Sequence, residues 1–338
     1  MPSLQQVKDA NQHLKNAKPG LVAVFGWPAG GTSGIGESTC KEFIRNTISP
    51  RAYIIGRNKL EASRIINELK EINSEAEIHF LECDLTLLRN VDQVCNEITE
   101  KENLINLLFM SAGFLSMKRQ ETSEGLDRMM TIQYYSRMRL AVNLIPALAA
   151  ASAAGEPARV HSALNAGKEG KIFLDDLPLE NHFSLKNSAT QTTTMTTLAF
   201  DQLALAHPDI IFIHTSPGIV RTNITKGFGP VISSISGAFL ILLAPFLTTP
   251  VQESGQRHLY AALSKDYPPV DSDSSKRHVQ RLNSKSEFCG ENSELQENTG
   301  RAMWVRKFGS IRCRFSEHVL SVFLRSRYLR LFVGNMGI

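Results

Sequence analysis

Leu21–Thr39 reads LVAVFGWPAGGTSGIGEST, an apolar run that passes through a glycine-rich turn into the start of a helix. Gly30, Gly34 and Gly36 carry the spacing Gly-x3-Gly-x-Gly. A phosphate reaches backbone N–H groups only where side chains are absent. Glycine removes the Cβ and tolerates positive φ, and a following helix turns its positive end towards the anion. The strand before and the helix after therefore predict a phosphate-cradling turn built from Gly30, Gly34, Ile35 and Gly36.

On either side of this turn, β-type apolar runs alternate with segments of helical period. Strands are expected at Leu21–Phe25, Tyr53–Ile55, Glu77–Leu81, Leu104–Met110, Arg159–Ala163 and Ile210–His214. Helices are expected at Glu37–Asn46, Leu60–Ile72, Val91–Lys101, Gly125–Ala149 and Ala189–Ala206. Strands separated by helices of this length form βαβ units, so the fold class is α/β, a doubly wound parallel sheet covered on both faces. Ligands of such sheets bind beyond the carboxyl ends of the strands.

The loops at those ends hold the candidate binding residues. Arg57, in Gly56-Arg57-Asn58, follows Gly36 by 21 residues. An arginine there suits a ribose 2′-phosphate, which favours NADP over NAD, whereas the alternative is a solvent-facing side chain. Asp84 either accepts from an adenine amino group or caps the next helix. Ser111-Ala112-Gly113 offers small residues against a ribose.

The bulk composition excludes several classes. A 42% apolar share and 21% charge in 338 residues describe a globular protein. Five cysteines without CxxC or CxxH spacing form neither a disulfide framework nor a zinc site, and no metal site is expected. The first twenty residues are polar and lack the apolar core of a secretory signal, making a cytoplasmic enzyme the default. Residues 301–338 hold seven arginines and Lys307 against Glu317, so the formal charge of +4 resides in a tail. No nucleic-acid partner is implied.

The order of these motifs resembles the short-chain dehydrogenase/reductase family from Leu21 to Asn223, and more loosely to Tyr267. The shared features are the glycine turn, the Asp-Leu pair at 84–85, the Ser111-Ala112-Gly113 segment and Pro217-Gly218-Ile219-Val220-Arg221-Thr222. The resemblance implies a Rossmann-like fold, NADP (NADPH) as cofactor, and Thr222 on the nicotinamide carboxamide. GGTSGIGES, GRN, YYSR, GKEGK and TNI are similar to a fungal subgroup found with secondary-metabolite pathways. Gly26-Trp27-Pro28-Ala29 stands between Phe25 and Gly30, where the family has one residue. The implied organisation is a lead-in helix at 1–20, the main domain at 21–267 and a polar linker with a basic amphipathic tail at 268–338.

The family pattern also implies a Tyr-x3-Lys pair, a strand-end Ser and a helix Asn for general acid/base chemistry. No Tyr-x3-Lys lies between the fifth and sixth expected strands. Asn165 aligns with the strand-end Ser and can still donate to a carbonyl. Ser184 and Ser188 align with the Tyr and Lys. A two-residue shift gives His182-x3-Lys186, an acid and a cation on one face of a helix, and imidazole exchanges protons near neutrality. Tyr134 and Tyr135 stand at the Asn position, either packing or facing substrate. Two functions remain: an NADP-dependent reductase or dehydrogenase of a small apolar metabolite, or a redox-silent cofactor-binding protein.

Residues 227–252 carry no charged residue and read as an apolar substrate cover or core helix, a peripheral membrane or oligomer contact, or a membrane span. Residues 268–300 read as a flexible polar connection. Arg325, Arg327 and Arg330 give the last segment a basic face, suited to solvent, an anionic membrane surface or a partner. A homo-oligomer is common among relatives.

Overall fold

All five residues of β1, Val22–Gly26, are buried, as a central strand covered on both faces requires. The computed structural model describes residues 2–26, 34–218, 220, 248–267 and 280–282. Before β1 come α1 (Leu4–Gln12) and a short 3₁₀ turn. After it follow α2 (Ile35–Asn46), β2 (Arg51–Gly56), α3 (Lys59–Ile72), β3 (Glu77–Glu82), α4 (Leu88–Lys101) and β4 (Leu107–Met110). The second half holds α5 (Arg128–Met130), a π-helical turn (Thr131–Tyr135), α6 (Ser136–Ala153), β5 (Arg159–Ala163), α7 (Leu185–Ala206), β6 (Ile211–Thr215), α8 (Val251–Leu263) and β7 (Gln280–Leu282).

The sheet order is β3-β2-β1-β4-β5-β6-β7, and every pairing is parallel. The chain reverses its winding between β1 and β4, which opens a crevice beyond their carboxyl ends. The six expected strands all form. β7 lies inside the stretch read as a flexible connection: its three residues take their register from β6 and carry no alternation of their own to reveal them.

Alternate residues of β1, Ala23 and Phe25, pack with Phe43 and Ile44 of α2, Phe109 of β4, and Leu259 and Ala262 of α8. Each such buried side chain contributes about 1.5–3 kcal/mol. The α2–α8 crossing is close. A Cβ on Gly255 would come within 2.7 Å of the Ser38 carbonyl carbon, so only glycine fits. The lead-in packs in a second cluster: Val7 is fully buried with Ile211 and Ile213 of β6 and Tyr260 of α8, and Asn11 donates to the Gln256 carbonyl at 2.9 Å. α7 buries Thr192, Thr193, Thr194 and Thr196 because each hydroxyl donates one turn back, to the carbonyls of Ser188, Ala189, Thr190 and Thr192.

Candidate active site

Gly34 is the N-cap of α2, extended at φ −147°, and among the described residues no side chain caps this helix. Among those residues no atom lies within 4 Å of a Cβ placed on Gly34. The first-turn N–H groups of Ile35 and Gly36 stand at the positive end of the helix, which suits an anion. Gly30 lies outside the described residues, as do Trp27, Pro28, Ala29 and Thr222.

At the ends of β2 and β3, Arg57 Nη1 lies 3.6 Å from Asp84 Oδ2. Asp84 Oδ1 accepts from the Thr86 N–H at 3.0 Å and the Thr86 hydroxyl at 2.8 Å. Burial opposes ionisation of Asp84, but Thr86, Arg57 and Arg128 together hold its carboxyl below the usual range. Asp84 thus anchors a turn and does not cap α4. Glu124 does that instead, accepting from the Leu88 and Arg89 N–H groups at 2.7 and 3.1 Å. Asn58 caps α3, which frees Arg57 from any capping duty.

Beyond β4, the Ser111 N–H continues the ladder to the Gly26 carbonyl at 3.0 Å, while its hydroxyl is buried without a partner among the described residues. A Cβ on Gly113 would meet none of the described residues within 4 Å. A hydroxyl left without a partner among them fits a ligand with polar oxygens at this edge.

The next element is the least expected. Arg137 is fully buried, yet among the described residues no carboxylate pairs with it. Its Nη2 donates to the Ala112 carbonyl at 2.6 Å, and its Nη1 to Ser162 Oγ at 2.6 Å and the Ala163 carbonyl at 3.0 Å. It follows the π-helical turn, a distortion common at functional sites. Gln133, in that turn, donates to the Phe114 carbonyl at 3.3 Å. Tyr134 is buried against Tyr135, with ring centroids 5.2 Å apart, which is a packing role.

After β5, Asn165 is half-buried and its carbonyl accepts from the Lys168 N–H at 3.0 Å. In the loop before α7, His182 Nδ1 lies 2.8 Å from Asp176 Oδ2, and its ring stacks on Phe173 at 4.5 Å. Asp176 is buried and also accepts from the Glu180, Asn181 and His182 N–H groups. Burial opposes its charge, but His182 and those N–H groups hold its carboxyl low. Such a carboxylate holds the imidazole through Nδ1, as an oriented acid/base requires.

One expectation is overturned here. α7 begins at Leu185 with Ser184 as its N-cap, so His182 precedes the helix and shares no helical face with Lys186, which is exposed. Ser184 Oγ accepts from the Asn187 N–H at 3.0 Å and is spent as a cap, whereas the buried Ser188 hydroxyl has no partner among the described residues.

A protein-family model described as short chain dehydrogenase matches residues 29–171. An oxidoreductase of Emericella nidulans is 41% identical over 272 residues, covering 79% of each chain. The chain belongs to the short-chain dehydrogenase/reductase family. An oxidoreductase of Emericella variicolor is 36% identical over 290 residues, 86% of this chain and 83% of that one. L-Sorbose reductase of Gluconobacter frateurii, solved with NADPH and L-sorbose, shares the fold at 15% identity, with a TM-score of 0.58 over 80% of this chain and 97% of that chain.

As a short-chain dehydrogenase/reductase the chain is an oxidoreductase by family. Sequence spacing missed Asp176, whose contact with His182 runs through an irregular loop. It also missed Arg137, although a charge at helical spacing from Tyr134, Leu140 and Ala141 was a legible signal. Among the described residues, no helix is long and apolar enough to cross a membrane, and no cluster of His, Cys, Asp and Glu could hold a metal.

Proposed function

We propose that this protein is an NADP-dependent reductase or dehydrogenase that interconverts a carbonyl and an alcohol on a small apolar metabolite of fungal secondary metabolism. The observation that carries the reading is the edge formed by the N-terminus of α2, Arg57 at the end of β2, and the Ser111 hydroxyl close to Gly113, with no side-chain cap on α2 and no partner for Ser111 among the described residues. α2 would receive the pyrophosphate, Arg57 a 2′-phosphate, and Ser111 a ribose oxygen. The bound cofactor supplies hydride.

His182 then provides the proton at the substrate oxygen through Nε2, with Asp176 orienting the ring through Nδ1. Asn165, at the end of β5, steadies the same oxygen as a donor, and Lys186 contributes only a solvent-exposed charge. The expected apolar cover at 227–247 and the basic tail lie outside the described residues.

The test is a titration of NADPH and NADH by calorimetry, followed by absorbance at the NADPH band with a panel of apolar ketones. Micromolar binding of NADPH with turnover of at least one ketone is expected. His182→Asn should then lower turnover by about 10²-fold or more while leaving NADPH affinity within about twofold. Unchanged turnover in that variant would remove His182 from the chemistry.

A second reading has its own support. Ser184 is consumed as a helix cap and Ser188 is buried, so the family's proton-transfer pair has no chemical equivalent at those positions. Tight NADPH binding without turnover of any carbonyl would favour the redox-silent scaffold.

A further inference from the structure

We infer that Arg137 is a fixed positive charge beneath the nicotinamide end of the site and makes this protein prefer the reduced, uncharged nicotinamide over the oxidised, cationic one. The inference rests on the cofactor reading above, and it concerns which redox form of the cofactor binds more tightly.

Three observations meet at one point. First, Arg137 contacts the carboxyl edge of the sheet and no other part of it. It donates to Ala112, which lies between Ser111 and Gly113, and to Ser162 and Ala163 at the end of β5. Second, its partners are neutral dipoles, so among the described residues its charge is solvated but not cancelled. Third, it hangs from the π-helical turn, with Nε 3.4 Å from the Ile132 carbonyl, which commits an irregular backbone to its placement.

A buried charge without a counter-ion is expensive and is weak evidence for stability. A purely mechanical tie between β4 and β5 could be made by a neutral donor at lower cost. The cation does something a neutral donor does not: it raises the potential of the crevice floor, where low dielectric lets the field persist. Burial pushes the guanidinium down to about 9, which still leaves it protonated at neutral pH. For scale, two unit charges about 10 Å apart at an effective dielectric near 20 repel by an amount that changes a binding ratio about tenfold. That repulsion acts on the oxidised nicotinamide ring and is absent for the reduced one.

Isothermal titration calorimetry of wild type, Arg137→Lys and Arg137→Met with NADPH and NADP+ tests this without any substrate. Wild type should bind NADPH about tenfold more tightly than NADP+. Arg137→Met should bring the two affinities within about twofold of each other, and Arg137→Lys, which keeps the charge, should retain most of the preference. Equal weakening of both forms in Arg137→Met would overturn the inference and leave a structural tie. A wild-type ratio at or below one would overturn it regardless of any variant. If Arg137→Met does not fold, Arg137→Gln, which keeps amide donors, gives the same comparison. NADH and NAD+ run in parallel separate the two readings. A reduced-form preference confined to that pair would sustain the charge inference while refuting the 2′-phosphate assignment, and failure of all four to bind would overturn both.

Discussion

Strand β5 meets a buried arginine at each end, and the two ends differ in what surrounds the charge. At the amino end, Arg159 donates to the carbonyls of Ser264 and Tyr267, both at 2.9 Å, just past the carboxyl terminus of α8. The negative end of that helix offsets the cation, and the contact closes the fold. Burial holds Arg159 down at about 10. Nearby, buried Asn106 accepts from the Val22 N–H at 2.8 Å and donates to the Pro157 carbonyl at 3.1 Å. At the carboxyl end, Arg137 donates to strand-end carbonyls, and on either side of Ala112 the buried Ser111 hydroxyl has no partner and a Cβ on Gly113 no neighbour among the described residues. The amino end ties its arginine to a helix terminus, with only the Arg159 Nε left unpartnered among the described residues, and the carboxyl end keeps polar capacity for something from outside.

The largest effect expected concerns the core between the two ends. His161 and His258 are fully buried with ring centroids 5.5 Å apart. His258 is held down at about 4 by burial, partly offset by the Ser254 carbonyl, and His161 is also lowered by burial and by the neighbouring His258, His214, Arg159 and Arg137. The unfolded chain therefore takes up protons near pH 6.5 that the folded chain refuses. Stability should be level above about pH 6.5 and fall as pH drops towards about 4, by on the order of 3 kcal/mol for His258 alone. Urea midpoints measured from pH 7.5 to 4.5 check this, and His258→Phe should flatten the slope. A pH-independent midpoint in wild type would refute it.

Arg159→Met comes next. It strands two buried carbonyls and should cost about 2–3 kcal/mol in stability while leaving NADPH affinity within about twofold. A large loss of affinity in a folded Arg159→Met protein would break the contrast between the edges.

Arg57→Leu should do the reverse. NADPH affinity should fall about tenfold or more, NADH affinity should hold, and stability should stay within about 0.5 kcal/mol, because the 3.6 Å pair with Asp84 is largely exposed. Equal loss for both cofactors would refute 2′-phosphate recognition. Ser111→Ala has the smallest expected effect. Removing a buried hydroxyl without a partner should leave stability unchanged or raise it slightly, and should weaken NADPH binding about threefold. A clear destabilisation would mean the hydroxyl is already satisfied within the protein.

These edges were unequally legible in the sequence. The loops after β2, β3 and β4 could be named in advance because each candidate directly follows its own strand, and strand ends are readable from periodicity. Arg57, Asp84 and Ser111 all stand where expected. Asp84 still changed meaning, because the α4 cap came from Glu124, 36 residues from Leu88. The expected pairing of His182 with Lys186 failed because a four-residue interval places side chains together only inside a helix, and Ser184 starts α7 after His182. The partner His182 does have, Asp176, sits six residues back across an irregular loop for which no periodic rule exists.

By itself, then, the sequence determined the parallel sheet and the order of its elements, because these follow from local spacing: period 2 against period 3.6. Only the tertiary structure decided which polar groups are already satisfied and which are left over. That is a property of distant partners. Arg137 and Arg159 are the same residue type at opposite ends of one strand, and their surroundings, assembled from α8 in one case and the β4–β5 edge in the other, make one a structural tie and the other a charge held under the site.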